Sequence, residues 1–226
     1  MIVLYSWPTT NGHEVHIMLE ECGVIYQKIP VDMPNRAQFT REYLEMSPTS
    51  KVPVLVDPDG PDGEQITLFE STAIMLYLAG KFGKFLGEST REKYMTLQWL
   101  MFQTGRFSPM LDQALHFRTR APEAVPYAIN RYTDEAKRLY SVVNMQLTKQ
   151  RYLAGDHYSV ADMATFAWAS SWKKHGIHWG DFPCAKRWFD SIGERPAVHR
   201  ALDVLSVYRR QLVTEDSTEN LCEAAY

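Results

Sequence analysis

Cysteine is scarce in this sequence. Cys22, Cys184 and Cys222 are odd in number and widely scattered, with no C-x-x-C pair and no metal-ligand spacing. That pattern excludes a disulfide scaffold and gives no basis for a zinc site. Charge of one sign is also lacking: the formal net charge is −3, and basic residues are interspersed among acids. The single-sign field of a nucleic-acid binder is therefore missing. Long apolar runs are absent too. The apolar start Met1-Ile2-Val3-Leu4-Tyr5 has no basic region before it, and no stretch approaches the roughly 20 residues that a bilayer span needs. Together these absences predict a cytoplasmic protein with small or neutral partners, and without metal, nucleic acid or membrane.

The composition is 45% hydrophobic over 226 residues, enough for one large domain or two small ones. The first 80 residues alternate strand-like and helix-like patterns. Ile2 to Ser6 is β-rich; from Asn11 the apolar set Val15, Met18, Leu19 and Cys22 falls at helical spacing, with Glu14, Glu20 and Glu21 on the other positions. Gly23 ends that helix, Ile25 to Val31 reads as a second strand, and Gln38 to Glu45 as a short helix. Val52 to Val56 and Ile66 to Phe69 flank the turn-rich segment 57–63 as a hairpin, and a helix follows from Ser71 to about Lys81. The order βαβαββα predicts a four-stranded mixed sheet with flanking helices over residues 1–82.

After a linker at Gly83 to Gly87 the strand signals stop. One helix is predicted from about Glu88 to Gln113, and another from Pro122 or later through Leu147. Ser159-Val160-Ala161-Asp162 has capping-box spacing, in which the serine oxygen caps a helical N–H and the acid reaches back. Replacing either residue by Ala should cost about 0.5–2 kcal/mol. Pro183 and Pro196 open two further helices. The prediction is a helical bundle over 88–210 and a polar tail from 211 to 226.

The segment Tyr5-Ser6-Trp7-Pro8-Thr9-Thr10-Asn11-Gly12-His13 is the most informative. An apolar strand breaks at a proline and restarts as a helix rich in capping side chains, which puts hydroxyl and amide groups beside the positive end of a helix. An anion or a thiolate is stabilised there. Thr9, Thr10 and Asn11 are the candidates, and Ser6 is a weaker rival; as turn and cap residues they would also be accounted for.

Three motifs in order then carry a resemblance across almost the whole chain: Lys51-Val52-Pro53-Val54-Leu55, Phe69-Glu70-Ser71-Thr72-Ala73-Ile74, and Ser159-Val160-Ala161-Asp162. With them the sequence resembles the glutathione transferase family. The stretches Pro8 to His13, Gln38-Phe39, Leu97-Gln98-Trp99 and Val125 to Tyr132 are similar to its bacterial Nu class, whose known members are glutathione-dependent disulfide-bond reductases. The resemblance implies a thioredoxin-like α/β domain followed by an all-α domain, a homodimer, and glutathione as cosubstrate, one or two molecules per site. It implies a cis Val52-Pro53 bond whose neighbouring backbone pairs with the tripeptide like an added strand. Ser71 would hold the γ-glutamyl carboxylate and Glu70 the α-ammonium. Lys51 and Gln38 would lie near the glycyl end, and Arg131 would offer a guanidinium to a second carboxylate. Thr9 would donate to the glutathione sulfur with Asn11 assisting, without a protein cysteine. The resemblance places an electrophile pocket near Arg106, Met110, His116, Phe117 and Arg118, although such aromatic and methionine residues are more often core. Conjugation to electrophiles, reduction of organic hydroperoxides, or a non-catalytic binding module are the alternatives.

Overall fold

A computed structural model describes residues 1–208. Among the described residues its contacts form two units, Met1–Phe82 with 196–208, and Gly83–Arg195. The tail expected from residue 211, and Cys222 within it, lie outside the described residues.

In the first unit, β1 (Ile2–Ser6), α1 (Thr10–Cys22) and β2 (Tyr26–Pro30) form a parallel crossover. A 3-10 turn (Ala37–Phe39) and α2 (Arg41–Met46) follow, where the sequence predicts one helix. They are separate because Thr40 caps α2, its hydroxyl accepting from Tyr43 N–H. β3 (Val54–Asp57), a 3-10 turn (Pro61–Gly63) and β4 (Ile66–Phe69) make the hairpin, and α3 (Ser71–Phe82) closes the unit. The strand order is β2-β1-β3-β4, with β1 antiparallel to β3 and β3 antiparallel to β4. Val52 and Pro53 precede β3 rather than belonging to it, and their peptide bond is cis.

On β1 strand period and burial agree, with Ile2 and Leu4 buried, while β3 buries both faces, Val54 and Leu55 alike. Helix α1 departs from its expected amphipathic pattern. Residues Gly12 to Leu19 are all buried, including His13, Glu14 and His16. The cause is α9 (Pro196–Asp203), which packs on α1 while α3 packs on it as well. The sequence predicts one helical domain over 88–210; by contacts α9 groups instead with the first unit. Arg200 Nε fastens α9 to Glu20 Oε2 at 2.9 Å. Gly23 ends α1 with φ of 72°, in the left-handed region, its N–H reaching Glu20 and Leu19 carbonyls.

The second unit is all helix: α4 (Thr90–Phe102), α5 (Ser108–Thr119), α6 (Pro126–Gln146), α7 (Val160–Ala169) and α8 (Pro183–Gly193). The single helix predicted over 88–113 is instead two, joined by a π turn at Gln103–Phe107. Pro109 has no N–H to give, so a regular ladder does not pass through it unchanged. Ser89 caps α4 with a full capping box, donating its N–H to Glu92 and accepting from Glu92 N–H.

Helix α7 is buried along its whole length and packs against α4 and α8. Asp162 is the reason that its start is fixed. Its Oδ2 accepts from Ser159 N–H at 3.0 Å and Ser159 Oγ at 2.9 Å; its Oδ1 accepts from Leu153 N–H and Trp188 Nε1, each at 2.9 Å. The acid reaches back as the motif predicts, while the serine hydroxyl is turned toward the acid. Burial pushes the Asp162 carboxyl up to about 6 against these four hydrogen bonds. Because one carboxylate satisfies donors from a loop, α7 and α8, its loss exceeds that of a cap alone. Asp162→Ala is expected to lower the urea-unfolding free energy by about 3 kcal/mol or more, from the lost cap and the buried donors left unpaired.

Candidate active site

Strand register assembles the site. Tyr5 pairs with Val54, and Val54 with Phe69, so these three residues form a row across β1, β3 and β4. Since β3 runs against the other two, the segments just beyond that row share one end of the sheet: Ser6 to Thr9, Val52-Pro53, and Glu70-Ser71. The sequence-predicted residues Thr9, Asn11, Val52, Pro53, Glu70 and Ser71 are thus brought to one end of the first unit.

At the opening turn Thr9 is the N-cap of α1, its Oγ1 accepting from Gly12 N–H at 3.2 Å. A hydroxyl that accepts as a cap keeps its own O–H to donate. Thr9, Thr10 and Asn11 are half-buried, beside the first-turn N–H groups that have no intrahelical partner. Ser6 is buried and donates to Trp7 C=O at 3.3 Å, which removes it as a rival. Tyr5 lies in β1.

The second helix start at this end of the sheet is that of α3. Glu70 is exposed and holds a left-handed conformation, φ 70°, while its C=O already accepts from Ile74 N–H at 3.0 Å. A non-glycine residue in that region is costly and clusters at ligand sites. Ser71 then begins a twelve-residue helix whose positive end faces the same sheet end. Helix α3 is tied to β3 at its other half: Tyr77 Oη and Lys81 Nζ reach Asp57 Oδ2 at 2.6 and 2.7 Å. Hydrogen bonds from Lys81 and Tyr77 hold the Asp57 carboxyl below its ordinary range although burial opposes them.

Other predicted residues are placed differently. Lys51 is exposed but Gln38 is almost fully buried, so the two do not offer equivalent groups to one carboxylate. Arg131 is exposed on α6 in the second unit, where with Arg106 it adds to the effect of Arg138 in holding the Glu135 carboxyl down. Of the pocket candidates, Phe117 stacks on Tyr132 with centroids 5.4 Å apart, and His116 meets Phe117 edge-on. Arg118 bonds Lys174 C=O and Thr133 Oγ1 within its own unit. Among the described residues no group of three or more His, Cys, Asp or Glu is arranged to hold a metal ion. Two side chains that the sequence did not single out, Tyr43 and Ser47, both donate to Lys51 C=O; no local pattern marks them, since hydroxyls on a short helix look like ordinary surface.

Residues 10–81 match the glutathione S-transferase N-terminal domain and residues 114–196 its C-terminal domain. The chain is 46% identical over 203 residues to the disulfide-bond oxidoreductase YfcG of Escherichia coli K12, covering 89% of this chain and 94% of that protein. It belongs to the glutathione transferase superfamily. Two solved structures of transferases are similar throughout. One, from Pseudomonas fluorescens Pf-5 with two glutathione molecules bound, has 40% identity and a TM-score of 0.84, over 89% of this chain and 92% of that one. The other, from Pseudomonas putida with one glutathione disulfide per subunit, has 37% identity and a TM-score of 0.85, over 90% and 91%.

In this transferase Gly12 allows the opening turn to close. A Cβ there would stand 2.2 Å from Trp7 carbonyl oxygen and 2.8 Å from Ser6 Oγ. Helix propensity alone favours Ala over Gly by about 1 kcal/mol. The backbone clash outweighs it, and Gly12→Ala is expected to lower the urea midpoint by the equivalent of about 1–3 kcal/mol. A raised midpoint would mean that the turn yields instead.

Proposed function

We propose that this chain is a glutathione-dependent disulfide-bond reductase that uses no protein cysteine. The observation that carries the proposal is the Thr9 cap, whose hydroxyl retains a donor at the sheet end shared with Val52 and Ser71. The nucleophile is then the bound cosubstrate. Cys22 ends α1, about 18 Å along the helix from Thr10 at 1.5 Å per residue.

Glutathione lies with its γ-glutamyl carboxylate at the start of α3 on Ser71, its α-ammonium toward Glu70, and its backbone along Val52, before Pro53. Lys51 and Gln38 belong to the glycyl end. Thr9 donates to the sulfur, Asn11 assists from the first turn of α1, and the helix dipole adds to both. Each favours the thiolate over the thiol. The thiolate attacks one sulfur of the substrate disulfide, forming a glutathionyl mixed disulfide and expelling the other sulfur as a thiolate that takes up a proton. A second glutathione thiolate attacks the glutathionyl sulfur of that mixed disulfide, releasing oxidised glutathione and the second substrate thiol. Two glutathiones are oxidised for each disulfide reduced. The Pseudomonas fluorescens transferase with two glutathiones and the Pseudomonas putida transferase with glutathione disulfide support room for both states. Arg131 is assigned to a carboxylate of the second molecule.

The same proposal takes the protein as a cytoplasmic homodimer without nucleic-acid or membrane partners. For the partners, a net charge of −3 is consistent with no nucleic-acid binding, and no described helix is long and apolar enough to cross a membrane.

Glutathione-dependent turnover of a small disulfide, an aromatic halide and an organic hydroperoxide should be measured side by side. Disulfide reduction is expected to dominate, and to survive simultaneous replacement of Cys22, Cys184 and Cys222 by Ser. Turnover of the halide or hydroperoxide alone would replace the proposal with conjugation or peroxidase chemistry; glutathione binding without any turnover would make the chain a binding module.

Thr9→Ala is expected to lower kcat for disulfide reduction roughly 10- to 100-fold, the worth of one hydrogen bond to a charged group. It should also move the acid limb of the pH–rate profile upward, with a much smaller change in glutathione KM. Full activity in Thr9→Ala would transfer the thiolate contact to Thr10 or Asn11.

A further inference from the structure

The backbone at Val52 is held from behind. Tyr43 Oη and Ser47 Oγ both donate to the Lys51 carbonyl oxygen, each at 2.9 Å. Ser47 has one hydroxyl proton, so at its other contacts it accepts: from Lys51 N–H at 3.4 Å and from Thr49 Oγ1 at 3.3 Å. Tyr43 is 4% exposed and Ser47 fully buried, so neither bond competes with water. The Tyr43 ring is further fixed in an apolar cluster with Trp7, Val31, Val52 and Val54. Burial raises its phenol well above the ordinary range, which keeps it a neutral donor at any working pH. The turn between α2 and β3 is closed on the same side by Ser50, which holds φ of 56° and donates its N–H to Ser47 C=O at 3.0 Å.

A trans peptide is planar, and its C=O and N–H point in opposite directions. Two donors that clamp Lys51 C=O toward α2 therefore aim Val52 N–H away from α2. Among the described residues that N–H has no hydrogen-bond partner. It is a donor whose direction is set without a ligand, at the sheet end that the site occupies.

We propose that Tyr43 and Ser47 are positioning residues for glutathione: by clamping the Lys51–Val52 peptide plane they preorganise Val52 N–H to pair with the tripeptide backbone. The inference rests on the glutathione site proposed above. Neither residue touches the sulfur, so both act on affinity and not on the chemical step. Without the clamp the peptide plane is free to rotate, and binding must order it.

Tyr43→Phe keeps the ring in its cluster and removes only the donor; Ser47→Ala removes the other. Glutathione affinity by titration calorimetry, steady-state disulfide reduction and thermal unfolding should be measured for wild type, both single variants and the double variant. Each single variant is expected to raise glutathione Kd and KM about 3- to 10-fold, the range for one hydrogen bond, with kcat at saturating glutathione changed less than about twofold. The double variant should bind more weakly than either. The Val52 amide resonance, shifted by glutathione in wild type, should already differ in the free variants. Unchanged Kd in folded single variants, or a fall in kcat at unchanged Kd, overturns the positioning role while the site itself stands. Should the double variant not fold, the singles decide. A wild-type chain that binds no glutathione overturns the site and this inference together.

Discussion

The pairing of Tyr5 with Val54 and of Val54 with Phe69 is the constraint on which the rest depends. On β1 the side chains alternate, so a slip of one residue would turn Leu4, fully buried, to the half-buried side where Val3 and Tyr5 lie, whereas β3 buries both faces, with Val54 and Leu55 fully buried. The hydrophobic cost of that slip locks the register. Locked register in turn decides that the α1 start, the residues before β3 and the α3 start share one end of the sheet. None of those segments is close to another in sequence.

What the fold places at that end is mostly backbone and helix polarity. A threonine cap, a left-handed glutamate opening a helix, and a peptide whose C=O accepts from two hydroxyls need few specialised side chains, and all are formed without a ligand. Rigidity is supplied from behind the site. Trp7, which precedes the Thr9 turn, packs with Tyr43 and Val52, so one apolar cluster joins the opening turn to the strand-like segment. Asp57, gripped by Tyr77 and Lys81, ties α3 to β3. Tyr208 covers Trp7 from the C-terminal segment, with ring centroids 4.9 Å apart. Under the proposed function such support matters, because donors that are already oriented cost no reorganisation when charge develops.

Much of the fold was legible because its signals are local. Gly23 marks the end of α1, Pro183 and Pro196 open α8 and α9, and Ser159 with Asp162 marks the start of α7. Where the expectations failed, a distant element had overridden the local pattern. Glu14 falls outside the apolar set of α1, yet it is buried, on a helix against which both α3 and the distant α9 pack. Asp162 was legible as a cap, but its bonds to Leu153 and Trp188 come from contacts that no spacing rule contains.

The sequence by itself determined the order of elements, the two helix starts able to hold an anion, and the absence of a cysteine from the opening loop, since each depends on neighbours a few residues apart. Through its motifs it also determined the family. Tertiary structure decided which of those groups meet, that Thr9 and not Ser6 keeps a hydroxyl available, and that Tyr43 and Ser47 hold the peptide before Val52. Those outcomes depend on burial and on strand register, which arise only when segments far apart in the chain exclude water from one another.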